Sequence, residues 1–156
     1  ALSGDRLPMQ VGIVEWIARA AECIETGAMV IIDYAGNAED VVRRGGWLRT
    51  YRDHTRGSNP LMPPGESDIT SDVLLEPLRD AIMAAGFRIE SETTQSDWLS
   101  GLGIGDEVAT GEAAWLAGAA RGDLEALIGR SRATEAAMLT DPEGLGGFTV
   151  IIARRE

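Results

Sequence analysis

The chain has 156 residues, with 25 acidic against 14 basic side chains and a formal net charge of −11. That length suits one domain with a real core, and that charge argues against non-specific binding of nucleic acid or an anionic membrane, since both want a basic surface. One cysteine, Cys23, rules out an internal disulfide or a cysteine-based metal cluster, and no apolar run approaches the roughly 18–20 residues needed to span a bilayer. An acidic surface is compatible with a cationic substrate, and the lack of an export signal predicts a cytoplasmic location. A start at Ala1 rather than Met suggests a fragment or a processed form.

Residues 1–9 are turn-like and polar, with Pro8 suited to the first turn of a helix. Ile13, Trp16, Ile17, Ala20 and Ile24 recur at helical spacing and Gly27 is a suitable stop, predicting a helix of about 15 residues. Gly27 to Gly36 reads GAMVIIDYAG. Its unbroken apolar run between glycines predicts a strand, Ala28–Asp33, buried on both faces. Ligands in open α/β sheets bind outside the carboxyl ends of such strands, and Asp33 and Tyr34 stand at that end. Asp33 could equally cap the following turn.

From Gly36 to Pro64 the chain reads as an irregular loop of roughly 30 residues, a length that is usually functional or disordered. Trp47–Tyr51 is a short extended piece within it, and the prolines at 60, 63 and 64 block regular structure. A second helix follows, capped by Ser71 or Asp72, with Leu74, Leu78, Ile82 and Ala85 as its buried stripe. Phe87–Thr94 reads as a strand, and Ser96 opens a helical turn carrying Trp98, Leu99 and Leu102. Gly101, Gly103 and Gly105 are not a dinucleotide loop, because they follow a helical piece and their spacing is wrong. Two Ala-rich helices come next, about 107–120 and 123–139, with Leu124, Leu127, Ile128 and Met138 as an apolar side. After a glycine-rich turn, Phe148–Ala153 is a final strand, and Arg154-Arg155-Glu156 ends in solvent.

His54 is the only histidine, and neither a serine triad nor a two-histidine zinc motif has its spacing here. Asp33, Asp68 and His54 offer oxygen and nitrogen donors, but nothing in their spacing demands a metal. Asp68 could simply cap a turn or bond Thr70. The concentration of Tyr51, Arg52, His54, Glu66 and Asp68 in one loop after a central strand makes that loop a site candidate.

Four stretches carry a resemblance: VIIDYAG, LRTYRDHTRGSNPLMPPGESDITSDVLLEPL, TTQSDWLSGLGI and LTDPEGLGGFTVIIARR. In this order they resemble the C-terminal half of the MidA-like family of S-adenosyl-L-methionine-dependent methyltransferases. That family includes the mitochondrial protein arginine methyltransferase that assists assembly of respiratory complex I. The most specific part is the D-I-T-x-x-V core at Asp68, Ile69, Thr70 and Val73. The next is Thr94-Gln95 followed by Trp98-Leu99 and Leu102-Gly103-Ile104. The family's D-Y-G is here Asp33-Tyr34-Ala35-Gly36.

The resemblance implies an α/β chain forming the C-terminal half of a class I, Rossmann-like fold. Residues 1–156 would be one partial domain: helix, strand, long loop, helix and strand over 1–95, a helical insertion over 96–140, and a final strand within 141–156. Ala28–Asp33 would be the fifth strand, and the final strand would insert antiparallel. The glycine-rich cofactor turn and the acidic strand end of this fold precede Ala1 in the family's order. The chain is therefore expected to be a substrate-side half, with no cofactor-binding residue assigned.

The activity implied is methylation of an arginine or similar cationic group on a partner protein. Asp33 and Asp68 would orient the guanidinium and take its proton, with Glu66 as a further carboxylate. Tyr34, His54 and Gln95 would hold these groups by hydrogen bonds, and Tyr51, Arg52, Glu66 and Thr70 would contact the acceptor. Two alternatives stand beside this: a non-catalytic interaction module or one chain of a split enzyme, and a small hydrolase or metal enzyme built on His54, Asp33 and Asp68. A fifth strand lacking its parallel neighbour has an exposed apolar edge, so a homo-oligomer or association with a second chain carrying the cofactor half is expected.

Overall fold

The computed structural model describes residues 6–156, so the expectation for residues 1–5 lies outside the described residues. The chain forms two compact bodies, one of residues up to Ser91 together with Ile151–Glu156, the other Glu92–Val150. No helix of the described residues is long and apolar enough to cross a membrane.

The first body opens with α1 (Gly12–Glu22). It is shorter than the spacing predicts because its last turn tightens: Cys23 N and Ile24 N bond the carbonyls three residues back, at Ala20 and Ala21. Pro8 lies in the irregular segment before the helix rather than in its first turn. Strand β1 (Gly27–Asp33) follows. Only one of its faces is covered. Met29 is buried, whereas Val30 and Ile32 are 46% and 40% exposed. The two-residue pleat sends Met29 and Ile31 toward the core and their neighbours to the other face, so the reading of a doubly buried strand is corrected.

The segment expected to be a long irregular loop is largely regular. Strand β2 (Ala35–Gly36) leads to the short helix α2 (Ala38–Arg44), then β3 (Leu48–Arg52), β4 (Thr55–Gly57) and β5 (Asp68–Ser71). The last three make an antiparallel sheet in the order β4-β3-β5. Asp53 and His54 form the β3–β4 turn with φ of 48° and 62°. Two positive φ values are what a two-residue hairpin needs to match strand twist, and Asp and His tolerate them better than most side chains. Here a polar hairpin without an Asn-Gly turn was misread as loop. The added Ala35 has a place: it pairs with Val73 and Gly36 with Leu74, joining β2 in parallel to β6 (Val73–Leu74).

Helix α3 (Leu75–Ala84) starts directly from β6 with Leu74 at its N-cap. Neither Ser71 nor Asp72 caps it, because Ser71 belongs to β5 and Asp72 is committed elsewhere. Strand β7 (Arg88–Thr94) follows. The second body contains α4 (Gln95–Gly101), α5 (Ile104–Gly118) and α6 (Leu124–Thr140). Strand β8 (Thr149–Arg155) closes the chain and lies between β1 and β7 in the sheet. Arg154 pairs with Glu90 near one end and Gln95 N bonds Phe148 O near the other, so β7 and β8 run in opposite directions.

Helices α1 and α3 cover the inner face of the sheet through Ile17, Ala21, Met29, Leu78, Ile82, Phe87 and Ile151. Arg155 completes this packing instead of ending in solvent. Its guanidinium donates to Ala21 O and Ile24 O at 3.0 and 2.8 Å, donates to Ala85 O, and stacks 4.3 Å from the Phe87 ring centroid. One cation thereby satisfies orphan carbonyls at the ends of both helices.

In the second body α5 and α6 approach so closely that a Cβ on Gly111 would lie 2.4 Å from Gly129 O. Their contact therefore uses Gly111, Gly118, Ala126 and Gly129, which are buried. Leu124, Leu127, Ile128 and Met138, expected to be the packing side, face outward because backbones this close leave no room for larger side chains.

The tightest polar arrangement surrounds Asp72, which is 1% exposed. Its carboxylate accepts from Arg49 at 2.5 Å and from Arg44 at 2.6 Å. Its backbone N donates to Trp47 O at 2.9 Å, and its carbonyl accepts from the Gln10 side chain at 2.9 Å. Gln10 in turn accepts from Leu74 N at 2.9 Å. Residues before α1, the end of α2, β3 and the start of α3 are thus tied at one residue. Asp72→Ala leaves Arg49 buried without its counter-charge and is expected to cost about 3–5 kcal/mol of stability, against about 1 kcal/mol or less for the exposed Arg44→Ala. Equal losses for the two variants in thermal or denaturant unfolding would contradict this. Arg155→Met is expected to lose about 2–3 kcal/mol in the same measurement, while an unchanged midpoint would mean its three carbonyl contacts carry no net weight.

Candidate functional site

Two places at one end of the first body collect polar side chains. The first is the carboxyl end of β1. Asp33 accepts from the Tyr34 backbone N at 2.7 Å, so its carboxylate does brace the turn. It also lines an apolar cleft of about 240 Å³ with Ile13, Trp16, Ile31, Val73 and Leu78. Trp16 is 57% exposed and forms part of this wall. Tyr34 O accepts from Val73 N at 2.7 Å, and the Tyr34 ring carries the Arg49 guanidinium 4.8 Å from its centroid.

The second place is a face of the antiparallel sheet. Arg49 is opposite Thr70, and Tyr51 is opposite both Asp68 and Arg56. Residues directly opposite share a face, and so do residues two apart on one strand. Arg49, Thr70, Tyr51, Asp68 and Arg56 therefore lie on one side of the sheet. Arg49 is common to both places, since it belongs to this face and touches Tyr34.

Beside Tyr51 the sheet end carries a shallow, open depression of about 280 Å³ lined by Tyr51, Arg52, Asp53, Glu66, Ser67 and Asp68. Arg52 bonds Glu66 at 2.9 Å and lies 3.9 Å from Asp53. Three carboxylates against one guanidinium leave the depression net negative, with Asp68 free of an ion pair among the described residues. Such a depression suits a cationic group.

The structure thus brings Tyr51, Arg52, Glu66 and Asp68 together, and puts Thr70 further along the same strand as Asp68. His54 sits at the exposed hairpin tip and does not line this depression. Gln95 is in the second body, 7% exposed, where its Nε2 donates to Leu139 O at 2.9 Å. It fastens the start of α4 to the end of α6. Arg49 and Asp72 were missed as determinants of this region. Their signal was weak: Asp72 reads as a helix cap, and Arg49 is one of several arginines between residues 43 and 56.

Among the described residues no group of three or more His, Cys, Asp or Glu side chains is arranged to hold a metal ion. A sulfonium nucleoside with an amino-acid tail needs partners for adenine, ribose, ammonium and carboxylate. The cleft beside β1 offers one charged side chain, Asp33, against apolar walls. Its residues fit one part of such a molecule and do not fit the whole.

The crystal structure of an uncharacterized protein from Burkholderia thailandensis superposes with a TM-score of 0.75 at 22% identity, covering 98% of this chain and 41% of that one. A second Burkholderia thailandensis protein, described as a "likely methyl transferase" and bound to S-adenosyl-homocysteine, gives a TM-score of 0.70 at 25% identity, covering 91% and 35%. The chain thus spans well under half the length of either structure. No curated protein matches it. Residues 3–93, more than half of the chain, match the family model described as "Putative S-adenosyl-L-methionine-dependent methyltransferase". On that match, with a mixed α/β fold shared with a relative that binds S-adenosyl-homocysteine, the chain belongs to this family of S-adenosyl-L-methionine-dependent methyltransferases.

Proposed function

We propose that this chain is the acceptor-side half of a MidA-like methyltransferase that methylates an arginine or similar cationic group of a partner protein in the cytoplasm. On this reading residues 1–156 are one partial class I domain, with 96–140 inserted as helices before the final strand. The observation that carries the acceptor assignment is the net negative depression holding Asp53, Glu66 and Asp68 beside Tyr51. Support for the half-fold comes from the strand order β1-β8-β7, with the last strand between the other two. Strand β1 is then an edge to which the cofactor-bearing half of the fold would add.

The family's cofactor supplies an electrophilic methyl group when bound. The work of this chain is orientation and proton removal. Asp68 pairs with the incoming cation and accepts the proton that its nitrogen loses on methylation. Glu66, held by Arg52, and Thr70 line the approach, while Tyr51 offers a flat wall for a planar guanidinium. Asp33 and Tyr34 form a second set of polar groups at the end of β1, and Arg49 steadies the Tyr34 ring. His54 would act only by reaching over from the hairpin tip. Gln95, its amide nitrogen committed to Leu139, would act only through its oxygen.

Asp68 is exposed on β5, so Asp68→Asn should fold normally. In the intact protein it is expected to cut arginine-dependent formation of S-adenosyl-homocysteine by about 100-fold or more, the usual worth of a positioned proton acceptor. Turnover that survives the substitution would make Asp68 structural. Calorimetry with S-adenosyl-homocysteine on the same proteins should give equal affinity for both; no binding to either would favour the interaction-module reading.

A further inference from the structure

We propose that Arg56 is a specificity residue that reads an anionic group on the acceptor, so that the preferred acceptor is a segment with an acidic side chain close in sequence to the methylated cation. The proposal rests on the reading of Asp68 as the group that receives the cation. It starts from a row of three side chains across the antiparallel sheet: Arg56 on β4, Tyr51 on β3 and Asp68 on β5 are directly opposite one another. All three therefore project to the same side. Neighbouring strands lie about 4.8 Å apart, so the backbone positions of Arg56 and Asp68, on either side of Tyr51, are about 10 Å from one another.

Neither charge is spent internally. Arg56 and Asp68 are both exposed, and neither has an ion pair among the described residues. Nearby arginines differ: Arg43, Arg44, Arg49 and Arg52 are all paired with carboxylates. In a chain with 11 more acidic than basic groups, an arginine left unpaired beside a candidate site stands out.

One face of the sheet thus offers a free guanidinium and a free carboxylate on either side of Tyr51. An extended segment advances about 3.3 Å per residue, so an anion about three residues from the cation spans the separation. The anion is a carboxylate or a phosphate; a guanidinium takes either through paired N–H donors.

Three peptides test this on the intact protein: acetyl-AARAADA-amide, acetyl-AARAAAA-amide and acetyl-AAAAADA-amide, with affinities measured by calorimetry at low salt. The wild type is expected to bind the first about fivefold more tightly than the second, the worth of one well-placed exposed ion pair, and that ratio should fall as salt is raised. Arg56→Gln should bring the ratio to one and leave the affinity for the second peptide unchanged. A phosphoserine in place of the aspartate distinguishes the two anion sources: a larger gain that Arg56→Gln removes assigns phosphate, an equal or smaller one assigns carboxylate. A ratio that persists in Arg56→Gln, or a ratio of one in the wild type, overturns the proposal. Failure of the underlying reading looks different. If Asp68→Asn binds acetyl-AARAAAA-amide as well as the wild type does, Asp68 does not receive the cation, whatever Arg56 reads.

Discussion

A single buried carboxylate holds the working end of this chain together. Asp72 stands between two short strands that pair with unrelated partners, β5 with β3 and β6 with β2. At such a junction the backbone cannot continue one ladder into the other, and the side chain supplies the link. Two guanidiniums from α2 and β3 converge on it, and Gln10 bridges its carbonyl to the amide of Leu74. A charge this deep is stable only while paired. The pairing therefore fixes where the antiparallel sheet sits against the end of β1.

The chemistry follows from that placement. Arg49 spends its charge on Asp72 and its flat face on Tyr34, so the same side chain sets both the sheet and the aromatic ring at the strand end. Beyond Arg49 the pleat does the remaining work, bringing Thr70, Tyr51 and Asp68 to one side from residues far apart in sequence. The loop between β4 and β5 then returns Glu66 against Arg52 on the wall of the acidic depression. Family membership points to S-adenosyl-L-methionine, and the acidic depression is what the proposed cationic acceptor rests on.

Long elements were legible in the sequence because their patterns are repetitive. The apolar spacing of α1 and α3 and the run of β1 gave their positions to within a few residues, and the cluster Tyr51, Arg52, Glu66 and Asp68 was recognised by its density of charge. What escaped was decided by tertiary contacts. The β3–β4 hairpin has no apolar alternation, since its strands carry Arg and Thr even at the buried positions 49 and 50, and its turn uses Asp53-His54 where Asn-Gly would have announced it. Asp72 carries a cap signature, yet its side chain is consumed by two arginines whose approach depends on folding. The outward face of α6 follows from the close approach of Gly111 and Gly129, a steric fact that leaves only small residues on the packed side. Arg155 looked like a solvent-exposed tail because its three carbonyl partners lie 70 to 134 residues away.

The most direct test of the Asp72 account is amide hydrogen exchange in Asp72→Asn, which keeps the shape and removes the charge. Loss of the anchor should release the antiparallel sheet first. Amides of residues 48–57 and 68–71 should lose protection by an order of magnitude or more, while those of α1, α3 and β7 keep theirs. Protection lost evenly across the first body, or not lost at all, would contradict the claim that this carboxylate holds the sheet in place.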